Sequence, residues 1–351
     1  PSPVCPSISS AVSLIVLSPS QSHLAMPSVS TSTSTASGDI APPMYSTKIA
    51  AIVGPTASGK TALAVALRAR GLPVEVVCCD ALQLVQRLDA ATAKPTAAER
   101  AAVPHHLVDV LPPTDPADAG RYAALADEVI ADITSRGAWP LLVGGTGLYL
   151  RAVVRGLAAL PASSPPVRAA LEKDAATLGL DVMHARLQAV DPDYAAITPA
   201  ANRQRVLRAL EVVELSGRPF SAFHSAHAAQ PDRYACATVV LQPGRDRHLA
   251  RLEARAHTMA PALLREVRTL LAEGLPPSAP GMQALGYRQA AALVQASLAN
   301  VGETASGDEA SASPPDDILL NPTDVASLTN TLIIGHRRYA KRQRTWFRKT
   351  T

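Results

Sequence analysis

The segment Gly54-Pro-Thr-Ala-Ser-Gly-Lys60-Thr61 has the residue types and spacing of a loop that binds phosphate groups. Backbone N–H groups of such a loop and the positive end of the following helix attract an anion, and Lys60 adds a point charge. The hydroxyl of Thr61 suits a phosphate-bound magnesium ion, Mg²⁺. The pattern predicts a diphosphate- or nucleotide-binding site formed by Gly54, Pro55, Thr56, Ala57, Ser58, Gly59, Lys60 and Thr61.

The residues on either side of this loop predict the elements that hold it. The run Ile49 to Val53 is short, apolar and β-branched, which predicts a buried strand, and the alanine- and leucine-rich run Thr61 to Arg70 predicts a helix. Val74 to Cys79 and Trp139 to Gly144 predict two more strands. Alternating strands and helices predict an α/β fold with a parallel sheet flanked by helices, as in P-loop NTPases. A glycine turn that only connects a strand to a helix is the alternative for the loop.

Two polar residues lie where predicted strands end, Asp80 after Cys79 and Thr146 after Gly144. Ligands of parallel sheets bind beyond the carboxyl ends of the strands, so we expect both residues and the phosphate-binding loop to face one crevice. Asp80 could hold Mg²⁺, bind a nucleotide or act as a general base. Capping of a helix is the structural alternative for Asp80.

Changes of composition along the chain predict its organisation. The first residues are Ser, Thr, Pro and Ala with almost no charge, which predicts either a disordered segment or an artefact of the gene model, with Met26 and Met44 as candidate starts. No later stretch is long and apolar enough to cross a bilayer. We predict six segments: a disordered extension (1–46), the first part of the α/β core (47–157), a helical insertion (158–230), the second part of the core (231–300), an acidic low-complexity linker (301–318) and a basic C-terminal helix (319–351).

The net charge of +4 is concentrated in the last predicted helix, where no acidic residue lies between Arg337 and Lys349. Side chains that recur at spacings of three and four share one helix face. This predicts a basic stripe of Arg337, Lys341, Arg344 and Arg348. Such a stripe favours contact with a nucleic acid backbone, and a merely solubilising face is the alternative.

Cysteines and histidines give no metal-binding spacing. The cysteines Cys78 and Cys79 end a predicted strand, where small buried residues are common, and His105 and His106 on an extended segment would point apart. Nothing in this pattern requires an oxidising compartment, and we expect a cytoplasmic protein.

Together the motifs resemble those of the tRNA dimethylallyltransferases, and the resemblance runs from about Lys48 to Arg348. They occur in the order typical of that family: GPTASGKT (54–61), the D-x-x-Q segment (80–83), LDAATAKPT (88–96), VPHHLVDV (103–110), LLVGGTGLYLRA (141–152), QRVLRALEV (204–212), MQALGYRQ (282–289) and AKRQRTWFR (340–348).

The resemblance implies a reaction. A dimethylallyl group would pass from dimethylallyl diphosphate to N6 of adenosine 37 in tRNAs that read codons beginning with U. Asp80 would accept the proton, while Lys60 and a magnesium ion at Thr61 would stabilise the leaving diphosphate. Arg251 or Arg255 is expected to add charge near the diphosphate.

The resemblance also implies a tRNA partner, whose anticodon stem-loop the helical insertion would clamp, and we expect the protein to act as a monomer. The implied tRNA contacts are Asp80, Ala81, Leu82, Gln83, Thr146, Arg168, Gln204, Arg205, Arg208, Gln283, Gly286, Tyr287, Arg288, Lys341, Arg342, Gln343, Arg344, Trp346 and Arg348.

Four positions depart from the family pattern. Ala81 and Val85 replace a serine and a tyrosine, and Arg87 and Ala91 replace glycines. Loss of the hydroxyl and the aromatic ring could weaken the positioning of adenine, which leaves open a tRNA-binding relic with weakened catalysis. A P-loop kinase acting on a small metabolite is the other alternative, although it would not need the basic stripe.

Overall fold

The computed structural model describes residues 12–17, 48–304 and 321–350. The chain divides into two compact units, which we call the core unit (Pro1–Val154 and Arg233–Thr351) and the helical unit (Arg155–Asp232). Most of the predicted linker, 305–318, lies outside the described residues, whereas its first four positions belong to a helix that ends at Thr304.

The core unit contains a parallel sheet with one antiparallel edge strand, as the order β1-β6-β2-β5-β3-β4 shows. Strands β2 to β6 pair in parallel, whereas β1 pairs antiparallel with β6. The strands are β1 (Val12–Leu17), β2 (Lys48–Val53), β3 (Val74–Cys79), β4 (His105–His106), β5 (Trp139–Gly144) and β6 (Ala235–Pro243). The predicted α/β fold with a parallel sheet is confirmed.

Strand β1 corrects the expectation that residues 1–46 are disordered throughout. Val12–Leu17 form six paired positions with β6, from Val12 opposite Pro243 to Leu17 opposite Thr238. The apolar, β-branched sequence of this run favours a strand, and the free edge of β6 offers it a row of hydrogen-bonding groups. The remaining residues of the predicted extension before β2 lie outside the described part of the chain.

Helices of the core unit cover both faces of the sheet. Buried side chains of β2, β3 and β5 alternate between two apolar clusters, one containing Ala64 and the other containing Tyr122 and Tyr149. The helices are α1 (Lys60–Ala69), α2 (Ala97–Ala102), α3 (Ala119–Ser135), α4 (Gly147–Val154), α10 (Arg245–Ala272), α11 (Tyr287–Thr304) and α12 (Pro322–Thr350), with a 3₁₀ turn at Pro280–Gln283.

Helices α10, α11 and α12 form a third apolar cluster of the core unit, which includes Leu263, Tyr287 and Leu332. Helix α10 is continuous through Pro261. Because most of the buried residues of α10 lie at helical spacing on one face, packing offsets the backbone hydrogen bond that proline cannot donate.

The helical unit is built from five helices around its own apolar cluster, with Met183, Leu187 and Leu207 at its centre. Its helices are α5 (Pro165–Leu178), α6 (Leu180–Val190), α7 (Pro192–Ile197), α8 (Arg203–Ser216) and α9 (Phe220–Ala228). Among the described residues, no helix of either unit is long and apolar enough to cross a membrane.

An ion pair between the buried Glu75 of β3 and the exposed Arg136 stabilises the sheet next to its edge strand β4. Both oxygens of Glu75 accept from Arg136, at 2.6 and 3.0 Å, and His106 of β4 lies 2.7 Å from Glu75 Oε2. Hydrogen bonds from Arg136 and then His106 lower the pKa of Glu75 to about 2, against the opposing effect of burial. The ionised carboxylate is therefore more stable in the folded chain than in the unfolded chain.

We expect Glu75→Gln to lower the free energy of unfolding by about 1–3 kcal/mol at neutral pH, because a charged acceptor of two hydrogen bonds is removed. In the wild type, this contribution is complete above the ordinary glutamate pKa and is lost as the pH falls towards about 2. Urea denaturation between pH 7 and pH 3 measures both effects. Asp132→Asn, which changes an exposed partner of Arg136, is the control and should have a smaller effect; equal losses for the two variants would contradict the prediction.

Candidate active site

The phosphate-binding loop connects β2 to α1 at the carboxyl edge of the sheet. Gly54 begins it with a φ of +145°, and a Cβ at this position would lie 2.6 Å from the carbonyl oxygen of Leu241 on β6. Only glycine fits such a close approach in this conformation. The first residues of the loop therefore lie directly against the neighbouring strand.

The end of the loop has hydrogen-bond donors that are available to an anion. Helix α1 begins after Gly59 with no side-chain cap and no acidic residue in its first turn, so its first N–H groups have no side-chain acceptor. The hydroxyl of Ser58 is buried without a hydrogen-bond partner. Lys60 Nζ donates to the carbonyl oxygens of Gly54 and Pro55, at 3.2 and 2.9 Å, and so lies folded back over the loop. These features suit a diphosphate.

Three charged side chains from distant parts of the sequence interact beside this loop: Lys60, Asp80 and Arg255. Burial lowers the pKa of Lys60 to about 8, and the Asp80 carboxylate opposes that shift. Burial raises the pKa of Asp80, while the Leu82 N–H and the cations Lys60 and Arg255 limit the rise. Burial also lowers the pKa of Arg255, and Asp80 opposes this. The Asp80 carboxylate therefore has a raised proton affinity, which the two cations limit.

Asp80 lies directly after β3, where its Oδ1 accepts from Leu82 N at 3.1 Å. On the neighbouring strand end, Thr146 Oγ1 accepts from Ala81 N at 3.2 Å, and Thr146 N donates to Cys79 O at 3.1 Å. These bonds hold Asp80 and Thr146 on adjacent strand ends. The structure thereby brings together the phosphate-binding loop, Asp80 and Thr146, which the sequence placed at three strand ends.

Thr56 connects the loop to the C-terminal helices. Its N–H donates to Gln343 Oε1 at 2.9 Å, its carbonyl oxygen lies 2.7 Å from His248 Nε2, and its hydroxyl accepts from Arg255 at 3.0 Å. The sequence analysis gave no role to His248, and it named Arg255 only as one of two alternatives. Arg251, the other alternative, is exposed.

Helix α12 does not present its predicted tRNA contacts on one surface. Lys341, Arg342 and Arg348 are exposed. In contrast, Gln343 is buried, with its Nε2 donating to Gly145 O at 2.9 Å, and the Trp346 ring lies so close to Gly147 that a Cβ there would be 2.1 Å from it. The structure corrects the assignment of Gln343 to a tRNA-contacting surface, because both ends of its amide are used inside the protein.

The predicted basic stripe is likewise divided. Arg337 pairs with Glu253 of α10, and Arg344 donates to His248 Nδ1 at 2.6 Å. Lys341 and Arg348 remain exposed. Two cations of the predicted stripe, Arg337 and Arg344, therefore have partners on α10, because α10 packs along α12.

Of the other predicted tRNA contacts in the core unit, some are buried and others are exposed. Tyr287 is fully buried, and its hydroxyl donates to Glu266 at 2.7 Å. Gly286 is buried with a φ of +93°, and a Cβ there would lie 2.9 Å from Leu332. These two residues therefore shape the core rather than a surface, which corrects their assignment to tRNA. Gln283 and Arg288 are exposed.

In the segment after Asp80, Leu82 and Gln83 are half-buried. Gln83 Nε2 donates to the carbonyl oxygens of Thr92 and Ala93, at 3.3 and 2.8 Å, and its Oε1 accepts from Cys78. The amide of Gln83 thus closes the loop that follows β3.

In the helical unit, Gln204 and Arg205 are exposed on the first turn of α8. Arg208 instead donates to the buried Glu211 at 2.9 Å and to Pro161 O at 2.7 Å, and Arg168 donates to Glu172 at 3.0 Å. Ordinary structural pairing therefore accounts for much of the polar surface of Arg168 and Arg208.

The four departures from the family pattern have different environments. Ala81 is half-buried and contributes its N–H, whereas Val85 is fully buried in the apolar cluster of α10 to α12. Arg87 has a φ of +65°, a conformation that favours glycine, and pairs with Glu273. Ala91 is buried. Val85 brings no aromatic ring to the crevice.

An aromatic side chain near Asp80 comes instead from Tyr339 of α12. Burial and the nearby Asp80 raise the pKa of the Tyr339 hydroxyl, which also hydrogen-bonds to Thr146.

The described residues contain no group of three His, Cys, Asp or Glu side chains that could hold a metal ion. The oxygen donor at the loop is instead the Thr61 hydroxyl, at the start of α1. Magnesium is commonly held by one or two protein oxygens together with phosphate oxygens, so this hydroxyl fits a magnesium diphosphate.

Comparison with protein-family models gives two matches. The model described as IPP transferase matches residues 83–350, and the model described as isopentenyl transferase matches residues 47–105. A tRNA dimethylallyltransferase of Anaeromyxobacter sp. (strain Fw109-5) is 44% identical over 306 residues, which cover 86% of this chain and 92% of that protein. One from Myxococcus xanthus is 44% identical over 301 residues, 85% of this chain and 88% of that protein.

Solved structures give the same result. The full-length tRNA isopentenylpyrophosphate transferase of Bacillus halodurans is 32% identical, with a TM-score of 0.53 and coverage of 86% of each chain. A eukaryotic dimethylallyltransferase acting on tRNA has a TM-score of 0.64 at 22% identity over 86% of this chain and 70% of that one, and shares the fold.

Proposed function

We propose a mechanism from the premise that this chain belongs to the tRNA dimethylallyltransferase family and prenylates tRNA. We propose that its donor is dimethylallyl diphosphate and its acceptor is N6 of adenosine 37 in tRNAs that read codons beginning with U. One observation carries this proposal: the phosphate-binding loop with Lys60, the Thr146 hydroxyl and the Asp80 carboxylate follow three neighbouring strands, β2, β5 and β3, at the carboxyl edge of the sheet.

The diphosphate of the donor would bind at the end of the loop. The uncapped N–H groups at the start of α1 and the charge of Lys60 are complementary to the negative charge that develops on the leaving oxygen. Arg255, which donates to the Thr56 hydroxyl and interacts with Asp80, would add positive charge to the same region. When bound, a magnesium ion held by Thr61 would neutralise part of the diphosphate charge.

The chemical step replaces one bond with another. The N6 nitrogen of adenine forms a bond to C1 of the dimethylallyl group, and the C1–O bond to the diphosphate breaks, with its electron pair leaving on the diphosphate. The amine is a weak nucleophile because its lone pair is delocalised into the ring. The proton that N6 loses would pass to Asp80, whose pKa burial raises towards that of an effective base.

The adenine must leave its stack to reach Asp80, since the base lies inside the anticodon loop. The tRNA backbone would contact the exposed cations Lys341, Arg342 and Arg348 of the core unit. In the helical unit, the exposed Gln204 and Arg205 at the start of α8 are the strongest candidates. We propose that the helical unit binds the anticodon stem-loop, and that the enzyme acts as a monomer in the cytoplasm.

We expect the double variant Lys341→Gln and Arg342→Gln to reduce the slope of log Kd for tRNA against log salt concentration by about 0.7–0.9 for each phosphate that the protein no longer neutralises. Binding titrations with labelled tRNA between 50 and 300 mM salt measure the slope. Arg70→Gln, which removes an exposed cation that follows α1, is the control. An unchanged slope in the double variant would make these residues ordinary surface.

The reaction is tested by mixing the protein with dimethylallyl diphosphate labelled in the prenyl group and with tRNA that carries adenosine at position 37. Label transferred to that tRNA, and not to one with another base at the position, supports the proposal. Transfer of phosphate from ATP to a small metabolite would support the kinase alternative, which neither the site nor the comparisons favour. Tight tRNA binding without label transfer would indicate a relic.

A further inference from the structure

We infer that Gln343 and His248 are positioning residues that fix the shape of the phosphate-binding loop through Thr56, an inference that rests on the donor site proposed above. Gln343 lies on α12 and His248 on α10, and Gln343 is 287 residues from Thr56 in sequence. Neither side chain belongs to the loop motif. Both nevertheless bond to its backbone.

Every polar group of Thr56 has a protein partner. Gln343 accepts from the N–H at 2.9 Å, His248 contacts the carbonyl oxygen at 2.7 Å, and Arg255 donates to the hydroxyl at 3.0 Å. An amide N–H has one hydrogen to donate, so the N–H of Thr56 is not free for a diphosphate. Thr56 therefore determines where the rest of the loop lies, and the later amides of the loop remain for the ligand.

Gln343 also links two loops. Its Nε2 donates to Gly145 O at 2.9 Å, and Gly145 precedes Thr146, whose hydroxyl holds the N–H of Ala81 next to Asp80. A Cβ on Gly145 would lie 2.1 Å from Gln343 Nε2, so a larger residue there would displace the Gln343 carboxamide. One buried carboxamide thus connects the donor-binding loop to the strand end that carries the proposed base.

The partners of His248 fix its tautomer. The Thr56 carbonyl can only accept, so the hydrogen is on Nε2, and Nδ1 then accepts from Arg344 at 2.6 Å. His248 is 1% exposed and Gln343 is 4% exposed. Neither can contact tRNA unless α12 moves away from the loop. Removing either side chain leaves buried groups of the loop without partners.

The test compares donor and tRNA binding in Gln343→Met, which keeps the side-chain length and removes both hydrogen bonds. We expect the KM for dimethylallyl diphosphate and the Kd for inorganic pyrophosphate to rise about tenfold or more, with the KM for tRNA changed less than about twofold. Gln295→Met, the same change at an exposed position of α11, is the matched control and should leave all three values unchanged.

A second pair of variants keeps the test decisive if Gln343→Met folds poorly. His248→Gln retains an amide N–H that can donate to Thr56 O, and it should bind pyrophosphate within about threefold of the wild type. His248→Leu cannot donate and should weaken pyrophosphate binding by about tenfold or more. Thermal unfolding followed by circular dichroism, together with the KM measurements below the unfolding range, separates loss of positioning from loss of the fold.

Unchanged pyrophosphate binding in Gln343→Met and His248→Leu would overturn the inference, and so would a rise in the KM for tRNA alone. If the wild-type protein itself bound neither pyrophosphate nor dimethylallyl diphosphate, the proposed donor site would fail instead. The two failures are therefore distinguishable from the same titrations.

Discussion

Asp80→Asn should lower the rate of prenyl transfer about 10²- to 10⁴-fold while the affinities for tRNA and for dimethylallyl diphosphate change little. The asparagine amide has nearly the shape of the carboxylate, and its carbonyl oxygen can still accept from Leu82 N as Asp80 does at 3.1 Å. It cannot accept the proton that N6 of adenine loses. Single-turnover transfer of labelled prenyl group, with separate binding titrations, measures the two effects.

Two comparisons sharpen this prediction. Asp115→Asn changes a surface carboxylate paired with Arg121 and should leave the rate unchanged. In the wild type, the rate should fall as the pH drops through the pKa of Asp80, which burial raises above its ordinary value. Protonated Asp80 cannot act as the base, so the acid limb should be absent from the residual activity of Asp80→Asn. A parallel collapse of tRNA binding and rate would make Asp80 a docking residue instead.

Lys60→Met should reduce kcat/KM for dimethylallyl diphosphate by about 10²- to 10³-fold, because it removes a preorganised positive charge from the leaving diphosphate. The Lys60 ammonium already lies against the loop carbonyls of Gly54 and Pro55, so little reorganisation is needed when the donor binds. Steady-state kinetics at saturating tRNA and pyrophosphate titrations measure the loss. Lys48→Met, at the exposed start of β2, is the matched control.

The pH dependence gives an independent check on Lys60. Burial lowers its pKa to about 8, so the free enzyme loses the charge as the pH rises through that value. The kcat/KM for the donor, which reports the free enzyme, should therefore fall above about pH 8. Lys60→Arg keeps its charge in this range and should lack this alkaline limb, whatever its absolute rate. A wild-type profile that stays flat to about pH 10 would contradict the role of Lys60 as the titrating cation.

The sequence by itself determined the local parts of this protein. A β-branched run, a glycine-rich loop and an alanine-rich run lie within about twenty residues, and their conformations depend on neighbours in the chain. The apolar runs stop where β3 and β5 end, and these ends fixed the positions of Asp80 and Thr146. The parallel sheet followed from the alternation of strands and helices.

Only the tertiary structure decided which side chains of α10 and α12 face the loop. Helical spacing groups Arg337, Lys341, Arg344 and Arg348 on one stripe, but it does not say that a second helix covers part of that stripe. Because α10 packs against α12, Arg337 pairs with Glu253 and Arg344 donates to His248. Lys341 stays exposed. The burial of Gln343 against Thr56 and Gly145 likewise depends on contacts between residues about 200 or more positions apart. No local pattern encodes such contacts, because they form only when the whole core unit is packed.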